Sequence, residues 1–172
     1  LTAKALHPTH HRMERVRPNG LVIDLVGAPI PHGGFVTIYS DVTEQRHAAR
    51  AIERLAHHDT LTGLANRYTL EARLDQLVAD ARRHGRRLAV LFLDMDNFKG
   101  INDSLGHAMG DEFLRITAQR LRETVRENDI VARLGGDEFV VVLSDMTEPP
   151  HALSAAAKLL TRLSEPIQLE GH

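Results

Sequence analysis

The stretch Ile130-Val131-Ala132-Arg133-Leu134-Gly135-Gly136-Asp137-Glu138-Phe139-Val140-Val141-Val142-Leu143 decides the fold of this chain. Two apolar, β-branched runs flank a Gly-Gly pair, which is a strong signal for a β-hairpin. We therefore predict strands over Ile130–Leu134 and Phe139–Leu143. The adjacent carboxylates of Asp137 and Glu138 repel each other at the hairpin tip, which does not stabilise it. A bound Mg²⁺ would remove that penalty, and the alternative is a solvated polar turn.

Helical and strand patterns alternate around this hairpin. The apolar run Leu88–Leu93 is typical of a buried strand. Apolar residues at helical spacing predict three helices, over Tyr68–His84, Met109 to about Glu127, and Leu153–Leu163. This alternation predicts an α/β (α+β) fold with a mixed central sheet flanked by helices.

A second acidic cluster follows the buried strand, at Asp94-Met95-Asp96. Alternation along a strand would send both carboxylates to one side and Met95 to the other. Ligands of open α/β sheets gather outside the carboxyl ends of strands, and a carboxylate there can hold a hard cation that also binds phosphate. The alternative is that these aspartates only cap the next turn.

Two further polar clusters have both a functional and a structural interpretation. Residues 102–111 read as a loop that leads into a helix. The amide of Asn102 and the carboxylate of Asp111 can together read a purine edge, or Asp111 can simply favour the helix N-terminus. Arg126 and Asp129, at the end of that helix, form either a surface ion pair or a site where the arginine binds guanine or phosphate.

The first 58 residues differ from the rest, because they hold seven of the eleven histidines. Their patterns predict strands over Met13–Val16, Leu21–Val26 and Phe35–Tyr39, with a turn at residues 18–20. Three strands are too few to bury a core, so we expect this domain to be incomplete on its N-terminal side.

A helix is predicted to follow these strands. Asp41 is its expected N-cap, and Glu44 fits the position of a capping box. Ala48, Ile52 and Leu55 form a narrow apolar stripe on one face. That stripe favours either a linker helix packed on its neighbour or a dimerising signal helix between two domains.

Composition excludes several classes of protein. The chain has 172 residues, 42% of them apolar and 26% charged, and a net charge of −2, which suits one globular domain plus part of another. Cysteine and tryptophan are absent and aromatic residues make up 4%, so we expect no disulfide, no thiolate metal site and no nucleic-acid partner. No apolar run approaches the roughly 20 residues of a membrane helix. We expect a cytoplasmic location, although segments outside this sequence could attach the full-length protein to a membrane.

The clusters together resemble the GGDEF domain of bacterial diguanylate cyclases. The signature stands as Gly135-Gly136-Asp137-Glu138-Phe139, and the segments Asp59–Arg67, Phe92–Lys99 and Asn102–Asp111 are similar to the other motifs of the family. Residues 1–40 resemble the last strands of a PAS sensor domain, and Asp41–Gln45 resembles the motif that often joins such a domain to its output. The resemblance implies three parts: a PAS-like fragment over 1–40, a signalling helix over 41–58, and a cyclase-like GGDEF fold over 59–172.

The resemblance also implies a reaction. Two GTP molecules condense to cyclic di-GMP and two pyrophosphates, and a homodimer is needed because each domain holds one GTP. The implied cofactor is Mg²⁺, or Mn²⁺, and cyclic di-GMP is both product and inhibitor. Carried over by position, the implied roles are metal binding by Asp94, the Met95 carbonyl and Asp137; catalysis by Asp137 as the base, Glu138 and Lys99; substrate binding by Asn102, His107, Asp111, Gly135 and Gly136; and product binding by Arg126 and Asp129.

Domains of this family normally continue past a segment like residues 168–172, through further strands and a helix that contribute basic phosphate contacts. Their absence from this sequence puts catalysis by this chain alone in question. The resemblance leaves a second function open, in which a catalytically silent GGDEF module binds GTP and regulates an attached cyclic di-GMP phosphodiesterase of the EAL type.

Overall fold

The computed structural model describes residues 9–31, 33–148 and 150–169. The chain divides into two compact units between Glu53 and Arg54. The outer ends of two predicted domains, residues 1–8 and 170–172, lie outside the described residues. The predicted division into three parts stays a prediction.

The first unit contains a three-stranded antiparallel sheet in the order β1-β2-β3. Its strands are β1 (His11–Val16), β2 (Val22–Pro29) and β3 (Phe35–Asp41), at the three places where strands are predicted. The turn before β2 closes with a hydrogen bond from the Gly20 N–H to the Arg17 carbonyl, 2.9 Å, and Gly20 has φ 84°. Few apolar side chains of this sheet are buried, which agrees with the expectation that three strands build no core.

Helix α1 (Thr43–His57) follows β3. Asp41 accepts hydrogen bonds from the N–H and the hydroxyl of Thr43, at 3.0 and 2.6 Å, so it caps the helix as predicted. The apolar stripe of α1 is uncovered among the described residues, since Ile52 is 67% exposed and Leu55 60%.

The second unit contains a sheet in the order β4-β6-β5, with β4 (Arg87–Leu93), β5 (Ile130–Gly135) and β6 (Glu138–Met146). Both ladders are antiparallel, so the predicted mixed pairing of strands is wrong for these three. The reason is that β6 inserts between β4 and β5, which point the same way but do not touch. A parallel bridge is present only between Ala65 and Ala132, within the described residues.

Helices cover both faces of this sheet. Along β6, Val140 and Val142 pack into a cluster with Leu70 of α2 (Arg67–His84). The alternate residues, Phe139 among them, pack against α4 (His107–Thr124) and α5 (Pro150–Leu163). Such alternation places one apolar set on each face of a strand. The predicted α+β fold with flanking helices is confirmed.

Helix ends agree with the prediction in α2 and differ around residue 100. The Asn66 side chain caps α2 by accepting from the Thr69 N–H at 3.0 Å, and Gly85 ends it with φ 65°. An additional helix, α3 (Phe98–Leu105), occupies what the sequence predicts as a loop, and α4 begins two residues before Met109 and ends at Thr124. The short α3 contains Gly, Asn, Asp and Ser, whose low helix propensity hid it.

No helix within the described residues is long and apolar enough to cross a membrane.

Candidate functional site

The hairpin between β5 and β6 presents the first part of the site. Gly135 pairs with Glu138, so the loop between the strands is only Gly136-Asp137. Gly136 has φ 53°, which a residue without a Cβ adopts at no steric cost. Asp137 is half-buried, whereas the two glycines and Glu138 are exposed. A two-residue loop fixes the position of Asp137 on a rigid pair of strands.

Strand register brings the second acidic cluster to this hairpin. The last pair of the β4–β6 ladder joins Leu93 to Phe139. Asp94 and Met95 follow Leu93 at the same end of the sheet at which Asp137 and Glu138 precede Phe139. The strand ends before Asp94, so strict alternation does not extend to Asp96; nevertheless Met95 packs on the core while both aspartates are exposed.

These groups suit a hard divalent cation. In the described ranges, no three His, Asp or Glu side chains are grouped closely enough to hold a metal by themselves. The hairpin edge instead offers two carboxylates, from Asp94 and Asp137, and the Met95 carbonyl, all of them oxygen ligands. Mg²⁺ is usually bound by one or two carboxylates and completes its six ligands with water and substrate phosphates. The residues present therefore fit Mg²⁺.

The helical pair α3–α4 holds the predicted nucleotide-binding residues. Lys99 lies exposed in the first turn of α3, and His107 is the exposed first residue of α4. Asn102 and Asp111 are half-buried, and the Asn102 side chain lies against Gly110 of α4. A hydrogen bond from the Phe98 N–H to the Met95 carbonyl, 3.2 Å, joins the start of α3 to the acidic cluster. Helix α3, which holds Lys99 and Asn102, therefore begins directly after the acidic cluster, and the role of these four residues at the hairpin edge stays a prediction.

Arg133 links the hairpin loop to the carboxylate of Asp59. Arg133 donates to the Gly136 carbonyl from Nε at 2.9 Å and from Nη2 at 2.7 Å. Its Nη1 donates to both carboxylate oxygens of Asp59, at 3.0 and 3.1 Å. Their side chains are only 11% and 19% exposed, so this ion pair is largely shielded from water.

Asp59 is ionised at neutral pH despite this shielding. Burial by itself raises the pKa of its carboxyl, but hydrogen bonds from Thr62 and Arg133 outweigh burial and hold that pKa below its usual value. Sequence reasoning quoted Asp59 only as part of a motif and gave Arg133 no role. The sequence did contain a signal for Arg133, because a charged residue inside an apolar strand needs a partner of opposite charge or a hydrogen-bond acceptor.

Arg126 and Asp129 do not form the surface ion pair that the sequence left open. Helix α4 ends before them, and Asp129 is buried. Its carboxylate accepts from two backbone N–H groups, those of Arg126 and Ser144, each at 3.0 Å. Asp129 therefore braces the loop, and the exposed Arg126 guanidinium is free of that carboxylate.

Both residues line a cavity of about 240 Å³ between this loop, the end of β6 and α5. Lys158 and His151, which sequence reasoning did not single out, line the same cavity. They are seven residues apart on α5, so helical spacing puts them on one face. With Arg126, the cavity presents two cationic side chains to a ligand.

Two family models match separate parts of this chain. The family model "Diguanylate cyclase, GGDEF domain" matches residues 56–172. The chain belongs to the GGDEF family. The family model "PAS fold" matches residues 1–50, which agrees with the resemblance of the first strands.

Two curated relatives of this GGDEF chain are proteins of Pseudomonas aeruginosa. It is 47% identical over 130 residues to the bifunctional diguanylate cyclase/cyclic di-GMP phosphodiesterase MucR, covering 76% of this chain and 19% of MucR. It is 50% identical over 114 residues to the diguanylate cyclase TpbB, covering 66% of this chain and 26% of TpbB. The chain therefore spans about a fifth to a quarter of the length of these relatives.

Solved structures show the same fold. The GGDEF domain of TpbB is 49% identical with a TM-score of 0.66, and the match covers 67% of this chain and 68% of that one. The coiled coil and GGDEF domain of DgcB from Caulobacter crescentus, in complex with c-di-GMP, is 28% identical with a TM-score of 0.66, over 74% of this chain and 66% of that one.

Proposed function

We propose that this protein is a diguanylate cyclase, which condenses two GTP into cyclic di-GMP and two pyrophosphates under the control of its N-terminal sensor. The observation that carries the proposal is the register of β4 and β6. Its last pair, Leu93–Phe139, supports a metal site shared by Asp94, the Met95 carbonyl and Asp137, because these residues follow β4 and precede Phe139 at the same edge of the sheet. Helices α3 and α4, which hold Asn102 and Asp111, come next along the chain.

Each half of the reaction joins two nucleotides. The 3′-oxygen of one GTP forms a bond to the α-phosphorus of the other, the bond from that phosphorus to the β-phosphate bridging oxygen breaks, and pyrophosphate leaves. The same reaction between the 3′-oxygen of the second GTP and the α-phosphorus of the first then closes the ring and releases the second pyrophosphate. Held by Asp94, Asp137 and the Met95 carbonyl, Mg²⁺ would supply charge neutralisation and would lower the pKa of the attacking hydroxyl.

The residues of this chain position the substrate and move the proton. Asp137 accepts the proton of the 3′-hydroxyl, and Lys99 offsets phosphate charge. Gly135 and Gly136 let the backbone approach the phosphates closely, since neither carries a Cβ, and Glu138 supports the same edge. Asn102 and Asp111 bind the guanine edge, with His107 nearby. Positioning and electrostatics of this kind account for most of the catalysis of phosphoryl transfer.

Two GGDEF domains must meet, because one domain holds one GTP. The uncovered stripe of α1, with Ile52 and Leu55 exposed, supports pairing of this helix with the same helix of a second copy. Such pairing would bring two domains together in a homodimer.

The test is incubation of the full-length protein with GTP and Mg²⁺, with cyclic di-GMP and pyrophosphate measured by mass spectrometry and a coupled assay. We expect two pyrophosphates per cyclic di-GMP and a specific activity that rises with protein concentration until dimers saturate. ATP in place of GTP is the control and should give no cyclic product. Failure to form cyclic di-GMP in a demonstrably dimeric preparation would contradict the proposal.

A second function is supported by the name of another relative, the cyclic di-GMP phosphodiesterase NbdA of Pseudomonas aeruginosa, which is 44% identical over 126 residues. In that alternative the GGDEF module binds GTP without turnover and stimulates an attached EAL-type phosphodiesterase. Hydrolysis of cyclic di-GMP that increases on addition of GTP, with no synthesis under any condition, would favour it over the cyclase.

Product binding in the cavity beside α5 would give feedback inhibition. We expect Arg126→Ala to raise the cyclic di-GMP concentration for half-inhibition at least about tenfold, because a charge-assisted phosphate contact is lost. Initial rates at low product should not change. Arg126 is a cleaner probe than Asp129, whose loss would release the loop that it braces.

The matched control for this prediction is Arg115→Ala, which removes an exposed arginine of α4 that pairs with Glu112 at 2.9 Å. It should leave inhibition unchanged. Equal inhibition of the wild-type protein and Arg126→Ala would rule out a product site at this cavity.

A further inference from the structure

Gly110, in the first turns of α4, is buried against α3. A Cβ placed on Gly110 would collide with Oδ1 of Asn102 and would lie 2.9 Å from its Cγ and 3.4 Å from its Nδ2. The helices are tied together nearby by the rings of Phe98 and Phe113, whose centroids are 6.1 Å apart. The side chain of Asn102 therefore occupies the space that a side chain at position 110 would need.

Glycine at this position is not explained by backbone conformation. The glycines with positive φ include Gly106, at 86°, where the chain turns from α3 into α4, but they do not include Gly110. Alanine is more favourable than glycine inside a helix, so an ordinary helical glycine needs a spatial reason. The contact with the Asn102 amide supplies that reason.

We infer that Gly110 is a positioning residue for guanine recognition: its lack of a side chain lets the Asn102 amide lie in the seam between α3 and α4, beside Asp111. The inference rests on the proposed function, in which Asn102 and Asp111 bind guanine. An alanine at 110 would leave the folded helices in place and push the flexible end of Asn102 away from the base.

The Asn102 amide has no other anchor among the described residues. Within the described residues, every buried side-chain nitrogen or oxygen has a hydrogen-bond partner. The Asn102 amide has no such partner in that part of the chain, so it reaches solvent and is available to a ligand. Packing against Gly110 therefore sets the direction in which the Asn102 amide points.

The test measures nucleotide selectivity in the full-length protein by calorimetry with Mg²⁺ and either GTP or ATP. We expect Gly110→Ala to weaken GTP binding about tenfold and to leave ATP binding unchanged, because hydrogen bonds to the base are lost and the phosphate contacts remain. A general loss of structure would lower the fraction of active protein and leave this ratio unaffected.

Gly100→Ala is the matched control. It is also a glycine-to-alanine change in a helix, and its Cβ would also meet an asparagine, lying 2.8 Å from Cγ of Asn97. Asn97 is not one of the residues assigned to guanine, so the GTP-to-ATP ratio should stay at the wild-type value. A comparable fall in both variants would overturn the inference.

A double-mutant cycle separates the inference from the proposed function. Asn102→Ala should lower the ratio by itself, and Gly110→Ala should then add nothing, since the clash no longer exists. If Asn102→Ala has no effect, the proposed guanine contact fails. If it has an effect while Gly110→Ala alone has none, or if the two effects add fully, the positioning role fails.

Folding of the variants is checked by thermal unfolding. Should Gly110→Ala alone unfold, the double variant with Asn102→Ala must recover, because alanine at 102 vacates the space. Failure of the double variant to recover would show that something other than Asn102 requires glycine at this position.

Discussion

We expect Asp137→Asn to abolish synthesis of cyclic di-GMP, with kcat reduced about 10³-fold or more. The change removes the base and one of the two carboxylates at the hairpin edge, and general base catalysis alone is commonly worth about 10²–10⁴-fold. Stability should change by no more than about 0.5 kcal/mol, since the side chain lies on a two-residue loop outside the core. The measurement is the initial rate of product formation together with denaturant unfolding.

Asp145→Asn is the matched control for this change. It removes an aspartate from the same strand, β6, that forms an exposed ion pair with Arg86 at 3.3 Å. Asp145 has φ 55°, a conformation that asparagine also tolerates. The control should keep wild-type activity. An Asp137→Asn protein with more than a tenth of wild-type kcat would remove Asp137 from the proposed chemistry.

The largest expected effect on stability comes from Arg133→Ala. The change leaves the Asp59 carboxylate shielded without its cation and removes both side-chain donors to the Gly136 carbonyl. Removal of one partner from a fully buried ion pair lowers the free energy of unfolding by about 3–5 kcal/mol, and an exposed pair contributes about 0–1 kcal/mol. For this largely shielded pair we therefore expect a loss of about 2–3 kcal/mol. Urea unfolding monitored by circular dichroism would measure it.

Two variants calibrate that prediction. Arg86→Ala breaks the exposed pair with Asp145 and should cost less than about 1 kcal/mol. Arg133→Lys should lower stability by an amount between those of Arg86→Ala and Arg133→Ala, because a lysine cannot present the planar fork that reaches Asp59 and Gly136 together. A loss for Arg133→Ala no larger than that for Arg86→Ala would show that the pair contributes nothing special to the hairpin.

Local signals in the sequence predicted most elements of the second unit. The β-branched runs on either side of Gly135-Gly136 specify a hairpin whatever surrounds them, and Gly85 has the left-handed conformation that ends a helix. Helix α3 was missed because its stability comes from packing on α4, which single-residue propensity does not report. Strand order was missed for a related reason, since nothing local to β4 says which strand becomes its neighbour.

The candidate site shows the same limit. Motif positions marked Asp94 and Asp137 in the sequence, but the β4–β6 register decides that the segments carrying them meet at one edge of the sheet. The structural role of Asp129 was hidden, because the two N–H groups that it accepts from belong to Arg126 and the distant Ser144. Arg133 likewise acts on a carbonyl and a carboxylate that lie in separate parts of the sequence.

The β4–β6 register has a consequence for control of the proposed cyclase. Five consecutive cross-strand pairs, from Ala89–Leu143 to Leu93–Phe139, end at the sheet edge where Asp94 and Asp137 are proposed to bind a metal. Strands paired in this way cannot slide or separate by a small amount without breaking the ladder, so each domain carries a stiff half-site. Under the proposed function, an upstream sensor therefore has little to gain from deforming this edge. The step it can govern is how often, and in what orientation, two such half-sites meet.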